Sequence, residues 1–106
     1  MRESTIEQYL VDRIKALGGE VRKVQWVGRQ KAPDRVVMLP DSKNEPNTYY
    51  TRAPVWVELK NPETIKHFPS NAHERAQQRE HWRMREMSQL VLVLGTKEQI
   101  DKEFPL

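Results

Sequence analysis

Two short stretches hold the residues whose types and spacing could do chemistry: Pro33-Asp34, and Val57-Glu58-Leu59-Lys60. Side chains alternate along a strand, so Glu58 and Lys60 share one face while Val57 and Leu59 take the other. Ionised groups on an otherwise apolar strand are costly to bury without a partner or a purpose. Asp34 supplies a second carboxylate, and together the acids could grip a hard cation such as Mg²⁺ through oxygen, beside a polarised water. That chemistry suits metal-assisted hydrolysis of a phosphodiester.

Each member alone has a plainer explanation. Asp34 follows a proline and can be a turn residue that caps local backbone. Glu58 and Lys60 can be a same-face ion pair on an edge strand, worth little. Against that, Val55, Trp56, Val57 and Leu59 predict an interior strand. Glu7 stands three residues after Ser4, where a capping-box glutamate belongs, and Gln77 would be unremarked on any exposed helix. As a set, the residues are much harder to ascribe to chance.

The elements that must position them follow from periodicity. Ile6, Leu10, Ile14 and Leu17 recur at helical spacing, and Gly18-Gly19 ends the run. Residues 20–27 alternate as a strand does, and residues 35–39 read as a short apolar strand. Residues 40–53, rich in Asp, Asn, Pro and Thr, predict an extended loop or a long hairpin end. Residues 54–60 form the next predicted strand, ended by Asn61-Pro62, and residues 63–70 read as an exposed, mobile connection. Residues 71–87 predict a helix with Ala76, Trp82 and Met87 turned inward. Residues 90–94, the most apolar run, predict a central strand buried on both faces, and Thr96 can cap a last short helix. Helix, strands, helix, strand, helix is the order of an α/β sandwich around a small mixed sheet.

At 106 residues the chain has room for one domain with one core. A net charge of +3 suits a polyanionic partner, with Arg22, Lys23, Arg29, Lys31 and Arg35 around Asp34 and Arg75, Arg79, Arg83 and Arg85 on the later helix. Such runs are often only solvated faces. The absence of cysteine excludes disulfides and thiolate metal sites. No apolar run is long enough to span a membrane and no signal-peptide core is visible, so the expected location is cytoplasmic. His67, His73 and His81 offer a rival zinc site, but no two of them stand one helical turn apart. Trp56 and Trp82 read as partly core. Trp26 can be either core or a platform for an unpaired base.

Pro33-Asp34 with Glu58-Leu59-Lys60 resembles the PD-(D/E)xK nuclease superfamily, and more closely its VRR-NUC branch, the virus-type replication and repair nucleases. The match also includes the helix glutamate in Glu3-x3-Glu7, the segment Ala32-Pro33-Asp34-Arg35, and the helix segment from His73 through Gln77 and Gln78 to His81. It spans nearly the whole chain, residues 1–106, as one nuclease domain. The chain departs from the family's pattern at Lys31-Ala32, where a glycine usually precedes Pro-Asp, and at Met87-Ser88, where the family often has a glycine turn.

The resemblance implies a restriction-endonuclease-like α/β core, a small mixed sheet flanked by helices. It implies that Asp34, Glu58 and the Leu59 carbonyl hold Mg²⁺ or Mn²⁺, and that Lys60 orients or deprotonates the attacking water. Glu7 would bind a second metal or a metal-held water. Gln77 would support the site, or Gln78 if the helix register differs by one. The implied activity is a DNA-repair type endonuclease of the stand-alone phage kind, which leaves a 5′-phosphate. It would resolve four-way (Holliday) junctions as a homodimer, with branched DNA as partner, in a bacterial or phage-infected cell. A flap or restriction-like nuclease, a non-catalytic DNA-binding module, and an interaction domain with structural ion pairs are the competing expectations.

Overall fold

Ile6, Leu10 and Ile14 form one fully buried stripe of helix α1 (Glu3–Ala16). In the computed structural model, which describes residues 2–28, 30–40 and 53–106, that stripe packs on a four-stranded sheet. The strands are β1 (Glu20–Lys23), β2 (Arg35–Met38), β3 (Val55–Leu59) and β4 (Leu90–Leu94), in spatial order β1-β2-β3-β4. The first three run antiparallel to their neighbours, and β4 runs parallel to β3. A parallel neighbour requires a crossover, here made by helices α2 (Pro62–Ile65) and α3 (Ala72–Glu86). Helix α4 (Lys97–Glu103) follows β4. The expected mixed α/β sheet with flanking helices is therefore the observed one.

Strand alternation divides the sheet into two unlike faces. Val55, Val57 and Leu59 join Val37, Leu94, the α1 stripe and Ile100 and Phe104 in the main core. Burying a side chain of this kind contributes about 1.5–3 kcal/mol, so this face holds the fold together. Trp56 and Glu58 leave β3 on the opposite face. There the apolar cluster is small: Ala32, Met84 and Val91, with Trp26 and Trp56 against it.

Five expectations change. Ser4 and Glu7 do not form a capping box, because α1 begins two residues earlier, with Arg2 as N-cap and no side-chain cap; Glu7 is drawn to a cationic partner instead. β1 stops at Lys23, although Val24 still donates its N–H to the Asp34 carbonyl at 2.7 Å. Residues 63–70 are not simply a connection. Asn61 caps α2 by accepting from the Glu63 and Thr64 N–H groups, with Thr64 Oγ1 accepting from the Asn61 N–H in return; Phe68 then stacks on His81. β4 is an edge strand, not a central one, since among the described residues it pairs only with β3; Leu90 is exposed. On α3 the inward residues are Glu74, Gln77, His81 and Met84, whereas Trp82 and Met87 are exposed. The expected loop at 40–53 lies, apart from its ends, outside the described residues, as does Arg29.

Two helices end in the same way on different residues. After α1, the Gly18 N–H donates to Lys15 O and the Gly19 N–H to Ile14 O, with Gly18 in the left-handed region at φ 83°. After α3, the Ser88 N–H donates to Arg85 O and the Gln89 N–H to Met84 O, with Ser88 at φ 65°. Both are Schellman closures, which glycine makes without steric cost. A residue with a Cβ pays about 1–2 kcal/mol for the left-handed region, partly returned by its stiffer unfolded chain. Ser88→Gly is accordingly expected to stabilise the fold by about 0.5–1 kcal/mol. Urea denaturation with an unchanged slope would read it; equal or lower stability would remove the strain argument.

Candidate active site

β2 and β3 pair Arg35 with Val57 and Val36 with Trp56. One step further along this antiparallel register, Asp34 stands opposite Glu58. Directly opposed residues share a face, with Cβ atoms about 4.5–5.5 Å apart. The two carboxylates thus meet at one end of the sheet, on the face covered by α3. Asp34 is largely exposed and Glu58 is buried. Desolvation, and next the Asp34 charge, push the Glu58 carboxyl up to about 7, even though Lys60 and Arg35 act the other way.

Gln77 closes over this pair from α3. Its Nε2 donates to Glu58 Oε1 at 2.6 Å, and its Oε1 accepts from Lys60 Nζ at 2.9 Å. An ammonium only donates, so the lysine dictates which way the amide turns. Gln77, rather than Gln78, is the inward glutamine.

Lys60 Nζ lies 3.9 Å from Glu58 Oε1, 3.2 Å from Glu74 Oε2 and 5.4 Å from the centre of the Phe68 ring. Its side chain is 13% exposed, and its backbone N–H is tied to Leu94 O at 2.8 Å. Glu74 is itself anchored, accepting from Ser70 Oγ at 2.6 Å and from the Ser70 N–H at 2.9 Å. Those bonds and Lys60 hold its carboxyl below the usual range despite burial. The ammonium is therefore fixed by two acids, an amide and an aromatic face.

Glu7 reaches the same end of the sheet from the opposite face. Arg35 is the bridge, with Nη2 donating to Glu7 Oε2 at 2.9 Å and Nη1 to Asp34 Oδ1 at 2.7 Å. Lys23 Nζ adds a contact to Glu7 Oε1 at 3.6 Å. Helix α1 does lie over the carboxylate end, but the Arg35 guanidinium stands between Glu7 and Asp34. The Arg35 bond, acting against partial burial, holds the Glu7 carboxyl below its ordinary value.

Among the described residues the histidines do not gather as a metal site. His81 is fully buried, one helical turn beyond Gln77, with neither ring nitrogen partnered. Desolvation, then Arg85 and Lys60, bring its pKa down to about 4 and keep it neutral. His73 Nδ1 meets Lys31 Nζ at 2.5 Å, and His67 is exposed.

The donor chemistry fits a hard divalent cation. Two opposed carboxylates, one of them resisting ionisation with Lys60 and Arg35 already near, lack positive charge. Among the described residues no three Asp, Glu or His side chains gather as a complete cage. A backbone carbonyl, water and substrate phosphate would have to complete the shell, which is how Mg²⁺ is usually held.

Sequence reading overlooked Arg35, Glu74, Phe68 and His81 as members of this cluster. A signal for two of them existed. Positions 74, 77, 81 and 84 follow the i, i+3, i+7, i+10 stripe of one helix face. Three of the four are polar, and so the stripe passes for a solvated one.

No family model matches the chain. A solved structure described as a VRR_NUC domain matches with a TM-score of 0.67 and 33% identity, over 94% of this chain and 90% of that one. A 43-residue stretch is 42% identical to "Putative nuclease p44" of Acyrthosiphon pisum secondary endosymbiont phage 1, covering 41% of this chain. The match spans 46% of the length of that relative.

The Arg35–Glu7 bond carries a pH signature. A carboxyl whose pKa is lowered by folding stabilises the fold fully above its ordinary value of 4.5, and loses that contribution as pH falls through the lower folded value. Arg35→Met should lower stability near neutral pH by about 1–3 kcal/mol for the polar groups left unpaired, and the Tm with it. It should also flatten the decline of stability below pH 4.5. Parallel wild-type and variant curves of Tm between pH 3 and 6 would show that the bond adds nothing.

Proposed function

The chain belongs to the VRR-NUC family of nucleases, and on that premise we propose that it is a divalent-metal-dependent DNA endonuclease acting on branched DNA. The observation that carries this reading is the facing of Asp34 and Glu58 across β2 and β3, with Lys60 fixed beside them. In this reading Asp34, Glu58 and the Leu59 carbonyl hold Mg²⁺ or Mn²⁺. When bound, the cation would make a nucleophile available at neutral pH and neutralise charge building on the phosphoryl oxygens.

The chain's own residues do the rest. Lys60 presents a fixed positive charge to the nucleophile and the scissile phosphate. Gln77 keeps Glu58 and Lys60 in register, and Glu74, one turn earlier on α3, restrains Lys60 through a 3.2 Å contact. Glu7 acts through Arg35, which sets the rotamer of Asp34; a direct role at a second metal would require Arg35 to swing away. The 5′-phosphate product follows from in-line attack on the phosphorus, with the 3′ oxygen leaving.

Substrate recognition runs through the backbone. Arg75, Arg79 and Arg83 form an exposed stripe along α3 at one-turn spacing. Such side chains position phosphates without reading sequence. We read residues 1–106 as one nuclease domain that resolves four-way junctions as a homodimer, because a two-fold pair of sites can nick two symmetric strands. The setting is the cytoplasm of a bacterial or phage-infected cell. Among the described residues no helix is long and apolar enough to cross a membrane.

Labelled four-way junction, flap and linear duplex DNA, with Mg²⁺ or Mn²⁺, test the reading. Paired symmetric cuts in the junction are expected, abolished by chelation and reduced at least about 100-fold by Lys60→Ala or Glu58→Gln. Protons compete with the cation for Glu58, so apparent metal affinity should climb as pH rises through about 7. Flap cutting alone would keep the nuclease and remove the junction assignment. Folded protein that holds DNA without metal-dependent cutting would make it a binding module.

A further inference from the structure

Trp56 lies two residues before Glu58 on the same face of β3, about 6.6–6.8 Å away along the strand. The Trp26 ring stands 5.2 Å from it, centre to centre, tilted by 47°. Both indole N–H groups are already used: Trp26 donates to the Pro33 carbonyl at 2.6 Å, and Trp56 to Gln89 Oε1 at 2.9 Å. The rings are held in place, and what they turn toward solvent is π and C–H surface. Between them and the C-terminal half of α3 lies an open cavity of about 320 Å³. Met84, Met87 and Gln89 also line it. Arg83 stands beside it, within 3.6 Å of Glu80.

The ordinary role for such a pair is to seal a core. Here the cluster beneath is only Ala32, Met84 and Val91, and the cavity lies on the same face of β3 as Glu58. The same helix presents Gln77 to the carboxylates, its next turns to the cavity, and the Arg75, Arg79 and Arg83 stripe to solvent. A mostly apolar, tryptophan-walled cavity whose rim carries Arg83 as well as Glu80, with the rest of the arginine stripe alongside, is complementary to one nucleobase attached to a charged backbone. Its size is at the small end of the range for ligand pockets, which suits a single base.

The geometry points to a pocket formed by Trp26 and Trp56 that takes one unpaired nucleobase flanking the scissile phosphate. The inference rests on the nuclease reading above and adds a source of selectivity to it. A base can enter only when it is out of the helical stack, and extrusion is cheapest where pairing is already broken. Branch points and flaps offer such a base, and continuous duplex does not.

Metal-free binding tests the pocket separately from cleavage. Fluorescence anisotropy would compare wild type, Trp56→Leu and Trp26→Leu on a branched DNA and on the same DNA with an abasic nucleotide at successive positions beside the branch. The expected result is a loss of about 10-fold in affinity on removing the base at one position, a similar loss in either variant, and no further loss when the two are combined. A thermal melt of each variant checks that it is folded. If both folded variants bind intact and abasic DNA as wild type does, the pocket is not a base site. If the variants lose affinity whatever the base content, and sedimentation shows that they also lose self-association, the surface is a contact between copies and the inference is overturned. Base-dependent binding by protein that cuts no DNA with any metal would sink the nuclease reading and leave the pocket standing.

Discussion

Glu58 and Lys60 leave an interior strand on the face that a helix covers, and charged groups under a helix are tolerated only where their polar atoms find partners. Much of the structure answers that requirement. The inward stripe of α3 is polar where it crosses them, so that Gln77 can donate to one and accept from the other. Glu74 meets the remaining positive charge and is held in turn by Ser70 just before the helix. Buried ion pairs of this kind are roughly neutral for stability against an apolar replacement. The arrangement is better explained by what it holds ready than by what it adds to the folded state.

The two faces of the sheet divide the work. The α1 and α4 side is continuous aliphatic packing, with Ile6, Leu10, Ile14, Val57 and Ile100 sealed from water. The α3 side is polar at the carboxylate end and aromatic beyond it. Arg35 links them, since its side chain leaves on the aliphatic side and its guanidinium turns round the end of the sheet to reach both Glu7 and Asp34. A perturbation of the α1 packing thereby has a direct route to a carboxylate on the opposite face.

How much of this was legible in the sequence depended on which physical signal carried it. Ile6, Leu10 and Ile14 gave α1, and Thr96 gave the cap of α4, because apolar periodicity and capping chemistry are local. Alternation around Val57 and Leu59 put Glu58 and Lys60 on one face of an interior strand. The resemblance joined Glu7 and Gln77 to Asp34 and Glu58 and gave them roles, which no local pattern does. What escaped were consequences of tertiary contact. Trp82 read as core and is exposed because the face of α3 that meets the sheet had to be polar. The run at 90–94 read as central because it is apolar, yet among the described residues it lies at the edge of the sheet. Arg35 passed for one more basic residue, since only the turn of the chain reveals that it stands between two acids.

The antiparallel ladder between β2 and β3 has a consequence that belongs to heredity as much as to geometry. Asp34 and Glu58 belong to different strands, and their meeting depends on the pairing of Arg35 with Val57 and Val36 with Trp56. A slip of one residue would turn Asp34 to the α1 side and Val37 to the α3 side, since strand faces alternate with a period of two. Insertion or deletion of a single residue between Asp34 and Val37 would therefore separate the acids while changing neither of them. Length in that stretch is held by parity, so point substitution is the gentler route open to its divergence.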